Sequence, residues 1–251
     1  MRLGFLAMML AALPGVAGQP LVYQDGTTRL AGYLTQPVQA SGASPGIIII
    51  HQWMGLTDHE RRTADELAKL GYAALAADIY GEGVRPTDAK AAGTLAGTYK
   101  GDPALYQRRI RAALDALKAQ KGVDPTRLAV IGFCFGGTGA LEAARGGLPV
   151  KGVVSFHGGL DIAAGRAVGP IAAKVLVCHG AEDPFTAKDV GPFQDEMRKA
   201  KADYTFIAYA GAVHAFTQKE AGDDPSKGAA YQEAAAKRSW QHMQDFLKEL
   251  F

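Results

Sequence analysis

Cys134 sits in a glycine frame. Residues Leu128 to Gly137 read Leu-Ala-Val-Ile-Gly-Phe-Cys-Phe-Gly-Gly: a strand-like run, then Gly132-x-Cys134-x-Gly136, then a helix-forming stretch with the small residues Ala140, Ala143 and Ala144. A nucleophile on a sharp strand-to-helix turn needs glycines around it, because a Cβ there collides with neighbouring backbone. Such a turn exposes the sulfur at a helix N-terminus, where the dipole and free N–H groups favour a thiolate. The N–H of Phe135 is then placed to stabilise an oxyanion. A structural cysteine buried in a glycine-rich turn is the competing reading of this segment taken alone.

Two further segments supply partners. Val175 to Pro184 is a strand ending in a turn that carries Asp183, and Tyr204 to Tyr209 is a strand followed by a loop carrying His214. Nucleophile, acid and histidine each fall just past the C-terminal end of a strand, in the chain order of the α/β-hydrolase triad. Open α/β sheets bind ligands at that edge. The chemistry needs a base to deprotonate the thiol and an acid to hold the imidazole in the right tautomer. The neighbouring Glu182 is the secondary candidate for the acid, after Asp183. His51 and His179 read as structural histidines holding loops, His157 as a residue that could line the pocket, and Cys178 as a buried apolar residue. Trp53, Met54 and Tyr80 read equally as pocket wall or core.

The elements that must position these residues alternate along the chain. Val22 to Gln24 and Thr28 to Thr35 form a hairpin through Asp25-Gly26. Ile47 to Ile50 is a strand buried on both faces, and Thr57-Asp58-His59-Glu60 has capping-box spacing for a helix to about Leu70. Tyr72 to Ala77 is the next strand. A Gly/Pro-punctuated stretch, Gly81 to Gly101, leads to a helix capped at Asp102-Pro103 and running to about Gln120. Strands at Leu128–Gly132, Val150–Phe156, Val175–Cys178 and Tyr204–Tyr209 are separated by helices at Phe135–Arg145 and about Ala187–Lys201. A closing helix runs from about Pro225 to Leu250. Strands and helices alternating in this way predict a single α/β domain, a mostly parallel central sheet with helices on both faces.

Composition narrows the function. Of 251 residues, 27 are Lys or Arg and 25 are Asp or Glu, a net charge of +2 without basic runs, so nucleic acid is not an expected partner. The 31 glycines suit many tight strand-to-helix turns. Two cysteines 44 positions apart and six scattered histidines lack the close-paired spacings of zinc sites, so neither metal nor cofactor is expected. Arg2, the uncharged run Leu3–Leu13, Pro14 and the small residues Val16-Ala17-Gly18 read as a secretory signal peptide over residues 1–18. The run is too short for a spanning helix, so a periplasmic or secreted domain over residues 19–251 is expected, without stable membrane insertion after cleavage. A single disulfide is the default under export, yet the strand-like settings of Cys134 and Cys178 favour free thiols.

Five segments together carry a resemblance: His51-Gln52-Trp53-Met54-Gly55, Asp78-Ile79-Tyr80, Gly132-Phe133-Cys134-Phe135-Gly136-Gly137, His179-Gly180-Ala181-Glu182-Asp183 and Gly211-Ala212-Val213-His214-Ala215-Phe216. The chain resembles the dienelactone hydrolase (carboxymethylenebutenolidase) family of small α/β-hydrolases. The resemblance implies a Cys134–His214–Asp183 triad that cleaves a small lactone or ester through an acyl-cysteine, with the backbone N–H of Trp53 as the second oxyanion donor beside Phe135. Two departures stand out. Family members commonly place a glutamate beside the nucleophile where this chain has Gln52. Dienelactone-specific members also carry an arginine shortly after the histidine, where this chain reads Ala215-Phe216-Thr217-Gln218-Lys219. A neutral amide cannot repel a thiolate and its NH₂ can donate to sulfur, so Cys134 is expected to rest substantially as thiolate at neutral pH. The alternative from another class is a non-catalytic small-molecule-binding protein that keeps fold and pocket but not turnover.

Protein isolated from its native cell is expected to begin near Gln19. Intact-mass measurement checks this, and a full-length mass would refute the signal-peptide reading.

Overall fold

The computed structural model describes residues 18–37, 42–162 and 166–251. The expected signal peptide lies outside the described residues except for Gly18. Strands β1 (Gln19–Asp25) and β2 (Thr28–Thr35) form the expected antiparallel hairpin, turning at Gly26 with φ 57°. Then follow β3 (Ser44–Ile50), α1 (Asp58–Lys69), β4 (Ala73–Ala77), α2 (Ala89–Gly101), α3 (Pro103–Lys118), β5 (Val123–Phe133) and α4 (Phe135–Arg145). The chain ends with β6 (Gly152–Phe156), β7 (Lys174–Gly180), α5 (Val190–Lys199), β8 (Tyr204–Tyr209) and α6 (Glu233–Leu250). The eight strands make one sheet in the order β1-β2-β4-β3-β5-β6-β7-β8. β2 pairs antiparallel with β4, and every pair from β4–β3 through β7–β8 is parallel. The parallel strands therefore end at one edge, where their following loops converge.

The continuous isoleucine run of β3 serves two cores. Ile48 and Ile50 pack with Tyr106, Ile110 and Leu114 of α3, Leu141 of α4 and Phe193 of α5. Ile47 and Ile49 point to the other face, with Ala64 and Leu67 of α1 and Met243 and Leu247 of α6. Alternation along a strand sends successive side chains to opposite faces, so a strand covered on both must be apolar throughout.

α1 opens with the full capping box: the Thr57 side chain accepts the His59 N–H, and Glu60 accepts the Thr57 N–H at 2.8 Å. Two expectations need correction. The stretch ending at Gly101 contains α2, a helix with Asp88 as its N-cap. Ala92, Ala96 and Tyr99 form its buried stripe, while Gly93 and Gly97 face open space. The closing helix begins at Glu233 and not near Pro225, because the preceding residues bind the His214 loop. The His214 N–H donates to the Gly228 carbonyl at 3.1 Å, and the Ala230 N–H donates to the His214 carbonyl at 3.0 Å.

A buried ionic cluster fastens the loop after β6. Arg145, at the end of α4, makes a bidentate pair with Glu196 of α5 at 2.8 and 2.7 Å and reaches Glu142 at 3.2 Å. It also donates to the carbonyls of Leu160 and Asp161. The Arg145 and Glu196 side chains are only 3% and 5% exposed. Removing the cation strands the buried Glu196 carboxylate, while Glu142 keeps Arg166, so Arg145→Met should cost about 3–5 kcal/mol in urea denaturation. A loss no larger than that of a surface substitution would show that the cluster is dispensable.

Candidate active site

β5 delivers Cys134 to the sheet edge in a conformation few residues adopt, φ 53° and ψ −114°. A Cβ on Gly132 would run into the Gly136 carbonyl, and one on Gly136 into the carbonyl of Ile50. The glycines flanking the cysteine are thus demanded by close backbone approach, as expected from their spacing. Cys134 is partly exposed and begins α4 without a side-chain cap, so the first amides of the helix, that of Phe135 among them, have no intrahelical acceptor.

His214 and Asp183 arrive from the loops after β8 and β7. His214 Nε2 lies 3.0 Å from Cys134 Sγ, and its Nδ1 lies 2.8 Å from Asp183 Oδ2. The other oxygen of Asp183, which is fully buried, accepts the Phe185 N–H at 2.9 Å. The loops meet because β7 and β8 are parallel neighbours and a Cβ on Gly180 would strike the Val213 carbonyl. Burial works against charge on His214. Its hydrogen bonds to Asp183 and Cys134, with their charges, override this and raise its pKa to about 10. Asp183 shows the mirror case: burial opposes its charge, but His214 and the Phe185 N–H hold it below the usual carboxylate range. The three groups form a continuous line from carboxylate to imidazole to sulfur, a geometry suited to moving a proton between sulfur and imidazole.

The loop after β3 supplies a further peptide. In this loop the Gln52 N–H donates to Glu60 at 3.3 Å, the Met54 N–H to Gln52 Oε1 at 3.2 Å and the Gly55 N–H to the Gln52 carbonyl at 3.1 Å. The Tyr80 hydroxyl donates to the Trp53 carbonyl at 2.9 Å. The Trp53 N–H alone in this run has no acceptor among the described residues. On the α4 side, the Tyr106 hydroxyl donates to the Phe135 carbonyl at 2.9 Å and its ring stacks on Phe135. Gln52 therefore braces the loop through its side-chain carbonyl. Among the described residues it makes no hydrogen bond to Sγ, contrary to the expected donation.

The remaining expected residues are accounted for individually. His51, buried, donates from Nδ1 to the Gln52 carbonyl at 2.7 Å and accepts the Ile79 N–H at Nε2, so it holds loops together. His179 is buried beside Phe206. Glu182 accepts the Gly211 N–H at 2.8 Å, and it is Asp183 that bonds His214. Cys178 is a free, fully buried thiol whose pKa burial pushes up to about 12. His157 packs edge-on to His214 with ring centres 5.3 Å apart. Phe185, which sequence reasoning did not single out, is 58% exposed and stands edge-on to His214 at 5.6 Å. Glu60 was legible only as a helix cap, because its bond to Gln52 joins two segments by tertiary approach. Among the described residues, no three His, Cys, Asp or Glu side chains are grouped so as to hold a metal ion.

An eight-stranded, mostly parallel sheet carrying a strained strand-to-helix elbow defines the α/β-hydrolase fold. The dienelactone hydrolase family profile matches residues 30–251, and this chain belongs to that family of ester and lactone hydrolases. A Bradyrhizobium protein described as "Probable 2-oxo-3-(5-oxofuran-2-ylidene)propanoate lactonase" is 29% identical over 234 residues, covering 89% of this chain and 90% of that one. The solved structure named "m3DLH" is 40% identical, with a TM-score of 0.90, and covers 95% of this chain and all of its own. The crystal structure of the dienelactone hydrolase-like promiscuous phosphotriesterase P91, from metagenomic libraries, is 41% identical over the same shares at a TM-score of 0.85.

A raised pKa fixes the sign of a pH effect. The His214 cation is present below its pKa of about 10 and is lost as the pH rises through that value. The rate of ester cleavage should therefore fall on an alkaline limb near pH 10. Asp183→Asn removes a supporting charge, so the limb should move about one to three units toward neutrality. A pH–rate profile for both proteins checks this, and an unmoved limb would detach Asp183 from the titration.

Proposed function

We propose that this protein hydrolyses small, uncharged carboxylic esters or lactones through an acyl-cysteine intermediate. The observation that carries this reading is His214 lying between Cys134 Sγ at 3.0 Å and Asp183 at 2.8 Å. The Cys134 thiolate attacks the carbonyl carbon, forming a C–S bond as the carbonyl π pair moves onto oxygen. The amides of Phe135 and Trp53 take up that oxyanion. Collapse breaks the carbon–oxygen ester bond, and the His214 cation gives its proton to the leaving oxygen. In a lactone the released alcohol stays tethered to the acyl group. Neutral His214 then takes a proton from water, whose oxygen attacks the thioester carbon. Collapse expels the thiolate and frees the acid, so one water is consumed. Asp183 supports the imidazolium at each stage.

The substrate class follows from what surrounds the thiol. Ala215–Lys219 contains no arginine to pair with a carboxylate, and the exposed aromatic rings of Trp53 and Phe185 offer apolar walls. The apolar segment Leu3–Leu13 supports action outside the cytoplasm, in the periplasm or the medium.

Turnover of p-nitrophenyl acetate and of simple lactones tests the proposal. Cys134→Ala and His214→Ala should lower kcat by at least about 10³-fold while the fold persists by circular dichroism. A quenched reaction should show an acyl mass on the peptide containing Cys134. Full turnover in Cys134→Ala would move the chemistry to another residue. Binding without any turnover by the wild type would favour a non-catalytic binding protein.

A further inference from the structure

His157 follows β6 directly, is fully buried, and holds φ 40°, a left-handed conformation that histidine and asparagine tolerate better than most side chains. Its Nδ1 accepts the backbone N–H of Cys134 at 3.2 Å, a proton shared with the Phe156 carbonyl at 3.0 Å. An Nδ1 that accepts leaves the ring proton on Nε2, which lies 2.8 Å from the hydroxyl of Thr217. One ring thus reaches from the peptide of the cysteine to the segment three residues beyond His214. It packs edge-to-face with His214 and Phe216, with ring centres 5.3 and 5.2 Å away. Its own N–H donates to the Cys178 carbonyl at 2.8 Å. The loop that carries it packs closely on the start of α4, since a Cβ on Gly137 would lie 2.7 Å from the Gly158 Cα.

We propose that His157 is a positioning residue: its neutral ring ties the Cys134 peptide to Thr217 and so sets the approach of Cys134 Sγ to His214 Nε2. The proposal rests on the cysteine–histidine reading above. A protonated ring could not serve, because its Nδ1–H would face the Cys134 N–H. It would also place a second cation against His214. Burial, aided by the charge of His214, pushes the His157 pKa well below its ordinary value and keeps the ring neutral. With an acceptor at one end and a donor at the other, the ring adds a second link between the two loops beside the His214–Cys134 contact itself.

The test uses His157→Asn, which suits the left-handed backbone but cannot span both partners, and Thr217→Val, which removes only the far hydroxyl. Each should lower kcat by about 10- to 100-fold with KM changed by less than about two-fold. In both, the pH profile of Cys134 alkylation by iodoacetamide should move to higher pH, a readout that a purely structural role would not shift. The double variant should be scarcely slower than His157→Asn, because one bridge is broken twice. Unchanged kcat in the folded variants, an effect on KM alone, or multiplying losses would overturn the proposal. If His157→Asn fails to fold, Thr217→Val decides alone. Persisting turnover in Cys134→Ala would instead overturn the triad, and the alkylation profile would still test the His157 bridge.

Discussion

The left-handed backbone at Cys134 is the condition on which the other parts of the site depend. A residue there is strained, and it persists only where its surroundings over-determine it. The surroundings are specific: Gly132 and Gly136 let the turn close on itself and on the end of β3, and Gly137 lets α4 start against Gly158. The Cys134 N–H is taken by Phe156 and His157 together. Because the elbow rests on three adjacent parallel strands, its shape is inherited from the sheet. A shift of β3, β5 or β6 by one residue would destroy it.

Charge at the site is managed by ordering rather than by solvent. His214 receives support from a buried carboxylate on one side and from sulfur on the other, while its histidine neighbour is kept uncharged. The two residues whose amides are proposed to receive negative charge are each held through the peptide that follows. Tyr80 grips the Trp53 carbonyl, Gln52 grips the Met54 N–H, and Tyr106 grips the Phe135 carbonyl. Preorganised dipoles of this kind need no reorientation when charge develops, which is the source of their value in catalysis.

The parts legible in the sequence were those where chemistry dictates local spacing. Glycines two residues either side of Cys134 are a steric requirement, and the strand-end placement of Asp183 and His214 follows from the alternation of strands and helices. The capping box at Thr57 was equally local. Helix α2 was hidden because Gly93 and Gly97 sit on its open side, so a helix made by tertiary packing of Ala92, Ala96 and Tyr99 reads as punctuation. The segment 225–230 carries no helical signal strong enough to distinguish it from α6, and its real task, bonding the His214 loop, is non-local. The links from Glu60 to Gln52 and from Thr217 to His157 join residues with no sequence pattern between them.

The two cysteines give the molecule an independence from its surroundings. Both are free, one at the mouth of the site and the other sealed inside β7. No cross-link restricts the unfolded chain, so the native state owes none of its stability to an oxidant, and reductant takes nothing from it. Folding can therefore finish on either side of a membrane with the same result. What differs between compartments is the state of one partly exposed thiol, whose oxidation would, on the proposed mechanism, silence chemistry while leaving architecture untouched.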